Sequence, residues 1–170
     1  MTDQNEYLKE NEEITKRFNR LECSLTSYQS HLNLFAGLLR QIKHEFEIPY
    51  VWISLIDSPD WSELIRLMKL SPFLLERLNL IEKNVFTKLV GLGTAPLLAN
   101  GDLTPCYVLL PPKVKYFMKS ICIAPISCRG EIIGSFNHAD YSPLRYQQGM
   151  DYTLLEDLMK KISARLTELS

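Results

Sequence analysis

The chain has 170 residues, 46% of them hydrophobic, with 19 basic against 20 acidic side chains, enough for one globular domain plus an extension. The near-zero net charge lacks any basic run, since Lys160-Lys161 and the lysines between Lys113 and Lys119 are too sparse, so nucleic acid and anionic membrane are excluded as partners. A polar, acidic N-terminus without a signal-peptide core, and no apolar run of spanning length, lead to the expectation of a cytoplasmic protein in which Cys23, Cys106, Cys122 and Cys128 are free thiols.

The first third carries an apolar seam with a seven-residue beat: Tyr7, Asn11, Ile14, Phe18, Leu21, Leu25, Tyr28, Leu32, Phe35, Leu39, Ile42, Phe46, with Asn11 its polar member. Such a beat predicts a helix packed lengthwise against another helix. It therefore predicts a homodimer with Tyr7, Asn11, Ile14, Phe18, Leu21, Leu25, Tyr28 and Leu32 at the interface. Up to Leu25 the flanking positions are almost all polar, which suits a single partner helix. From Leu32 the stripe broadens to include Leu34, Ala36 and Leu38 and predicts burial on two sides. Residues 1–26 are thus expected to project as a helical dimerisation arm, and residues 27–170 to form the domain. Thr26-Ser27-Tyr28-Gln29 fits a capping box that would start a second helix. The seam keeps its phase through that point, however, and predicts one unbroken or gently kinked helix of roughly 60 Å. The plainer alternative is a long amphipathic core helix with Asn11 exposed.

Pro49 stops the helix, and Tyr50 to Ile56, rich in β-branched and aromatic residues, reads as a strand ended by Asp57-Ser58-Pro59-Asp60. Trp61 to Leu70 reads as a short helix, Leu78 to Ile81 as a strand, and Asn84 to Val90 as a helix closed by Gly91-Leu92-Gly93. Pro96 to Ala99 and Tyr107 to Leu110 read as extended segments, although Pro105 argues against a tight hairpin between them. The clearest hairpin runs from Lys119 to Cys128, turns at Arg129-Gly130 and returns from Glu131 to Ala139. Asp151 reads as the N-cap of a last helix ending at Leu169, with the stripe Leu155, Leu158, Ile162, Leu166 and Leu169. This order predicts an α+β fold: an antiparallel sheet with the terminal helices on one face and the mixed middle segment on the other, sheltering a pocket.

Ser120-Ile121-Cys122-Ile123-Ala124-Pro125-Ile126, the Arg129-Gly130-Glu131 turn, Ile132-Ile133-Gly134-Ser135-Phe136 and the closing amphipathic helix resemble the C-terminal half of GAF domains. The stretch from Gly134 to Asp140, with Arg145 to Asp151 ahead of the helix, is similar to a bacterial branch of GAF-like proteins that carry an N-terminal helical arm. The resemblance implies an antiparallel sheet of about six strands, a small-molecule pocket under the loop face, and dimerisation through the terminal helices. Family members bind cyclic nucleotides, tetrapyrroles, haem or small metabolites, or bind nothing and only dimerise. The chain lacks the Asn-Lys-Phe-Asp-Glu run of the cyclic-nucleotide subgroup and a Cys-His pair of the bilin-attachment type, so the cofactor stays unknown.

No catalytic constellation is visible. His138 and Asp140 lack the further donors that a metal site needs, and Gly91-Leu92-Gly93 is followed by neither a helix start nor a Lys-Ser/Thr pair that would hold phosphate. One GAF-fold enzyme group reduces free methionine sulfoxide with loop cysteines, which makes a thiol-dependent reductase the enzyme alternative. Cys122 and Cys128 fall within the hairpin strands, where a buried thiol behaves as a small hydrophobe. The expected ligand-binding residues are Trp52 and Ser54 on the first strand, Phe86 on the short helix, Tyr107 and Tyr116 on loops, and Phe136 and His138 on the last strand. The alternative makes them ordinary core residues, and a one-residue slip of strand phase would turn each to the opposite face. The expectation is a non-enzymatic, dimeric sensor of an unidentified small molecule, or a ligand-free adaptor. With no output domain after Ser170, it would signal through a separate effector protein.

Overall fold

The computed structural model describes residues 2–111, 113 and 115–170. Helix α1, Thr2–Ser24, gives way to a 3₁₀ turn at Leu25–Ser27 and extended backbone at Tyr28 before α2, His31–Phe46, begins. The expected continuous helix is therefore broken, and the two pieces pack as an antiparallel hairpin. The start of α2 is set by Ser30, whose Oγ accepts from the Asn33 amide at 3.1 Å. Across the hairpin Phe18 and Phe46 stack with centroids 4.9 Å apart, and Arg20 donates to both Glu45 oxygens at 2.8 and 2.9 Å. Both stripes face one core, so the seven-residue beat passes through the break without a change of phase. Leu21 and Leu25 lie inside the chain's own core beside Leu34, Phe35, Leu38 and Ile42. Tyr28 folds its ring over Gly37, where a Cβ would come within 2.2 Å of the ring, so a larger residue there would push the ring aside.

Among the described residues five strands form one sheet in the order β2-β1-β5-β4-β3: β1 Tyr50–Ile56, β2 Leu78–Ile81, β3 Leu97–Asn100, β4 Ser120–Cys128 and β5 Glu131–Asp140. The expectation of about six strands is corrected to five. Tyr107 to Leu110 is not a strand, because Thr104–Leu109 coils into a 3₁₀ helix with Pro105 in its first turn, where a fixed φ and a missing N–H cost nothing. The sheet is also mixed rather than antiparallel. β2 arrives after a helical crossover, α3 Ser62–Leu70 and α4 Pro72–Leu75, and pairs parallel to β1. The β4–β5 hairpin turns on Arg129 and Gly130, both at positive φ, as a two-residue turn requires. Gly134 lets β5 close on β1, since a Cβ there would sit 2.0 Å from the Ser54 carbonyl oxygen.

The faces of the sheet are distinct. Val51, Ile53, Leu55, Ala124, Ile126 and Phe136 look toward α1, α2 and α6, Thr153–Glu168. Trp52, Ile56, Ile121, Ile123 and Ala139 look toward α5, Lys83–Val90, and the 103–118 segment. Asp151 stands one residue ahead of the N-cap of α6, which is Tyr152, and its carboxylate accepts from the Thr153 amide at 2.9 Å and hydroxyl at 2.6 Å. Arg165 of α6 donates to the Leu25 and Tyr28 carbonyls at 3.1 and 2.7 Å, tying α6 to the α1–α2 turn. Among the described residues no helix is long and apolar enough to cross a membrane.

Candidate functional site

On the loop face, β1 and β5 place Trp52 opposite Asn137 and Ser54 opposite Ser135. The Asn137 amide, oriented to satisfy its surroundings, accepts from Ser54 Oγ at 2.8 Å and Trp52 Nε1 at 3.0 Å and donates to Ser135 Oγ at 2.7 Å. Asn79 Nδ2 donates to Ser54 Oγ and to the Val108 carbonyl, each at 3.2 Å, and Trp52 Nε1 also lies 2.9 Å from the Leu109 carbonyl. Every polar group in this network has a partner, and Phe86 and Leu109 pack around it. Trp52, Ser54 and Phe86 thus come together under the middle segment. Tyr107 and Tyr116 meet edge to face at the surface, centroids 5.5 Å apart, with the Lys115 ammonium beside both rings. Phe136 and His138 lie on the other face of the sheet. Phe136 packs against Phe35 in the helix-side core, and His138 lies at a cleft.

That cleft, of about 560 Å³, lies between the outer half of α1 and the sheet. Its floor is one cross-strand row: Leu98 of β3 opposite Cys122 of β4, and Cys122 opposite His138 of β5. Tyr7, Asn11, Ile14, Thr15 and Phe18 of α1 form one wall, and Ile42, Phe46 and Ile48 close the α2 end. Arg145 to Tyr152 and the first turn of α6, Leu154, Leu155 and Leu158, complete the lining. Most of these residues escape sequence reasoning. The available signal is that the apolar stripe of α1 continues past Phe18, beyond the domain that α1 packs against.

Three arrangements set the chemistry of the cleft. First, His138 is 4% exposed and its Nε2 is the buried side-chain nitrogen or oxygen that, among the described residues, has no hydrogen-bond partner. Burial, reinforced by the nearby Arg145 charge, lowers its pKa to about 4, so the ring is neutral at pH 7. Second, Arg145 is tied to its own fold. It pairs with Asp140 at 3.2 Å and donates to the Phe46 and Glu47 carbonyls, which caps α2 and fastens the 141–152 segment over the end of that helix. Third, burial pushes the Cys122 thiol up to about 12 and raises the Tyr146 phenol, whose ring lies 6.1 Å from that of His138. Imidazole, thiol and phenol therefore all stay uncharged at neutral pH. Among the described residues no three His, Cys, Asp or Glu side chains gather as a metal ion would need.

In overall shape the chain is similar to the GAF domain of A. aeolicus nlh2 in an inactive state, with 11% identity, 94% of this chain and 96% of that chain covered, and a TM-score of 0.50. The fold is GAF-like. It is also similar to the free methionine-R-sulfoxide reductase of Neisseria meningitidis solved with its substrate, with 15% identity, 90% and 87% coverage, and a TM-score of 0.58. No family model matches the sequence. No curated protein matches it either. The GAF-like neighbours thus include both a GAF domain and an enzyme, and at these identities the likeness concerns the fold alone.

Proposed function

We propose that this chain is a non-enzymatic GAF-like regulatory module that binds a small molecule in the cleft beneath α1 and passes the signal to a separate partner protein through that helix. The observation that carries this reading is the buried, unpartnered imidazole of His138 on the floor of a 560 Å³ cleft whose wall is the outer half of α1. A cavity of this size with apolar walls and a few polar anchors is the usual form of a ligand site, and its contact with α1 couples occupancy to the arm. A cytoplasmic homodimer belongs to the same reading. Leu8, 58% exposed on the outer half of α1 and outside the cleft lining, and Tyr7, 65% exposed at the cleft rim, leave an apolar strip of that helix open to a second copy.

The thiols support binding over catalysis. Thiol-dependent reduction needs a reactive thiolate and a second thiol within bonding reach. Cys122 faces the helix side and Cys106 packs with the loop-side core. Cys128, six residues from Cys122 along β4 and so roughly 20 Å away, lies 3.2 Å from Ser170 Oγ.

A thermal-shift panel of nucleotides, amino acids, tetrapyrroles and neutral aromatics tests the reading. A ligand present at about one hundred times its dissociation constant stabilises by about 2.7 kcal/mol. That gain is expected to disappear in Ile14→Arg, on the cleft wall, and to survive in Tyr116→Ser, on the far face. The reverse pattern would move the site to the loop face, and turnover of free methionine sulfoxide that is lost on mutating Cys122 to serine would make the protein an enzyme. Mass measured in solution across a concentration series checks the dimer, which a strict monomer rejects.

A further inference from the structure

We infer that the cleft is shaped for an uncharged, planar aromatic heterocycle with one hydrogen-bonding edge directed at His138, an inference that rests on the cleft being the binding site.

The absence of charge in the ligand follows from the lining. The cation at the cleft, Arg145, is paired with Asp140 and donates to two carbonyls at the end of α2, and the carboxylate of Asp151 stands exposed to water at the rim, one oxygen accepting from Thr153. An ionised ligand seated on the buried floor of Leu98, Cys122 and His138 would give up water there without meeting a free counter-charge. Planarity follows from the walls. Tyr7 and Phe18 come from α1, Phe46 from α2 and Tyr146 from the loop, so aromatic rings line the cleft from three elements. The Cys122 and Met150 sulfurs add polarisable surface that suits the edge of a ring. The single polar edge follows from His138. A neutral imidazole carries one donor and one acceptor nitrogen, and here the ring lines the cleft floor while its buried Nε2 has no partner within the protein. A heterocycle that carries N–H and ring nitrogen together complements either tautomer. A volume of 560 Å³ holds a two- or three-ring system with room to spare.

Benzimidazole and indane, equal in shape and differing in the polar edge, are the probes. Binding is followed by the amide shifts of Cys122, His138 and Tyr146 in the full chain, titrated with each probe in wild type, His138→Leu and Ile14→Arg. Both probes are expected to move the cleft signals of wild type and to lose binding in Ile14→Arg. The ratio of benzimidazole to indane affinity is expected to fall at least tenfold in His138→Leu while indane binding persists. A ratio unchanged by His138→Leu overturns the inference and leaves the cleft as the binding site. So does a carboxylated or amidinium probe that binds in the cleft more tightly than benzimidazole. If no probe of any charge moves the cleft signals, the binding site itself falls together with the inference.

Discussion

Asn137 and His138 are neighbours on β5, and the pleat sends them to opposite faces of the same sheet. Asn137 enters a closed network with Ser54, Ser135 and Trp52, covered by Leu103, Cys106, Leu109 and Leu110, and leaves nothing for an outside molecule to satisfy. His138 is as deeply buried, yet its Nε2 has no partner and a cleft stands against it. The difference teaches that burial of a polar side chain does not by itself mark a site. What marks one is whether the fold completes the hydrogen bonding. By that criterion the loop face is structural and the helix face, at its outer end, is the place to look for a ligand.

Three perturbations bear on this contrast. Asn137→Leu has the largest expected effect: it takes the acceptor from the Ser54 hydroxyl and the donor from Ser135 in a dry core, leaving Trp52 only the Leu109 carbonyl, and is expected to cost about 3 kcal/mol in urea unfolding. A cost below about 1 kcal/mol would mean that the network contributes little and that the two faces differ less than their geometry suggests.

The second perturbation is pH. The folded pKa of His138, about 4, lies below the ordinary 6.5, so between those values the unfolded chain binds a proton that the folded chain refuses. Stability present above pH 6.5 is therefore lost as pH falls through about 4, by about 3 kcal/mol from this residue. The groups facing His138 are Arg145, Tyr146 and Cys122, and the raised phenol and thiol do not change charge in this range. Carboxyls held low by hydrogen bonds, Glu45 to Arg20 and Asp151 to Thr153, also weaken the fold in acid. They do so equally in wild type and in His138→Leu, so the difference between the two proteins isolates the imidazole. At pH 7 the same variant is expected to be more stable than wild type by about 1 kcal/mol, because it removes an unmet polar group. Destabilisation at pH 7 would show that His138 has a partner after all.

The smallest expected effect is that of Arg145→Ala, about 1 kcal/mol in stability, since its pair with Asp140 is partly exposed. Its sharper readout is hydrogen exchange across 141–152, which is expected to quicken as that wall of the cleft comes free of α2.

Much of the sheet was legible in the sequence. The Arg129-Gly130 turn between two apolar runs locates the β4–β5 hairpin, and the β-branched run at Tyr50–Ile56 matches β1. Two features were not legible, for separate reasons. The break after α1 leaves no trace in the beat, because a hairpin that folds both stripes onto one core preserves the phase that a straight rod would show. The segment Tyr107 to Leu110 has the composition of a strand, and only the 3₁₀ start around Pro105 prevents one. The candidate site was the least legible part. The expected residues alternate along β1 and β5, so Trp52 and Ser54 separate from Phe136 and His138, and the residues that line the cleft with His138 come from five separate stretches of chain.

The glycine at position 37 has a mechanical consequence. With the Tyr28 ring wedged against the bare backbone of α2, and Arg165 holding the carbonyls of Leu25 and Tyr28, the joint between the first two helices is a fixed fulcrum. Beyond the Phe18–Phe46 contact, from Phe18 to Asp3, α1 extends roughly 22 Å as a stiff lever, so a tilt of about ten degrees sweeps its tip by about 4 Å. Under the proposed function, a guest no larger than a pair of fused rings would be announced at the surface as a displacement of several ångströms.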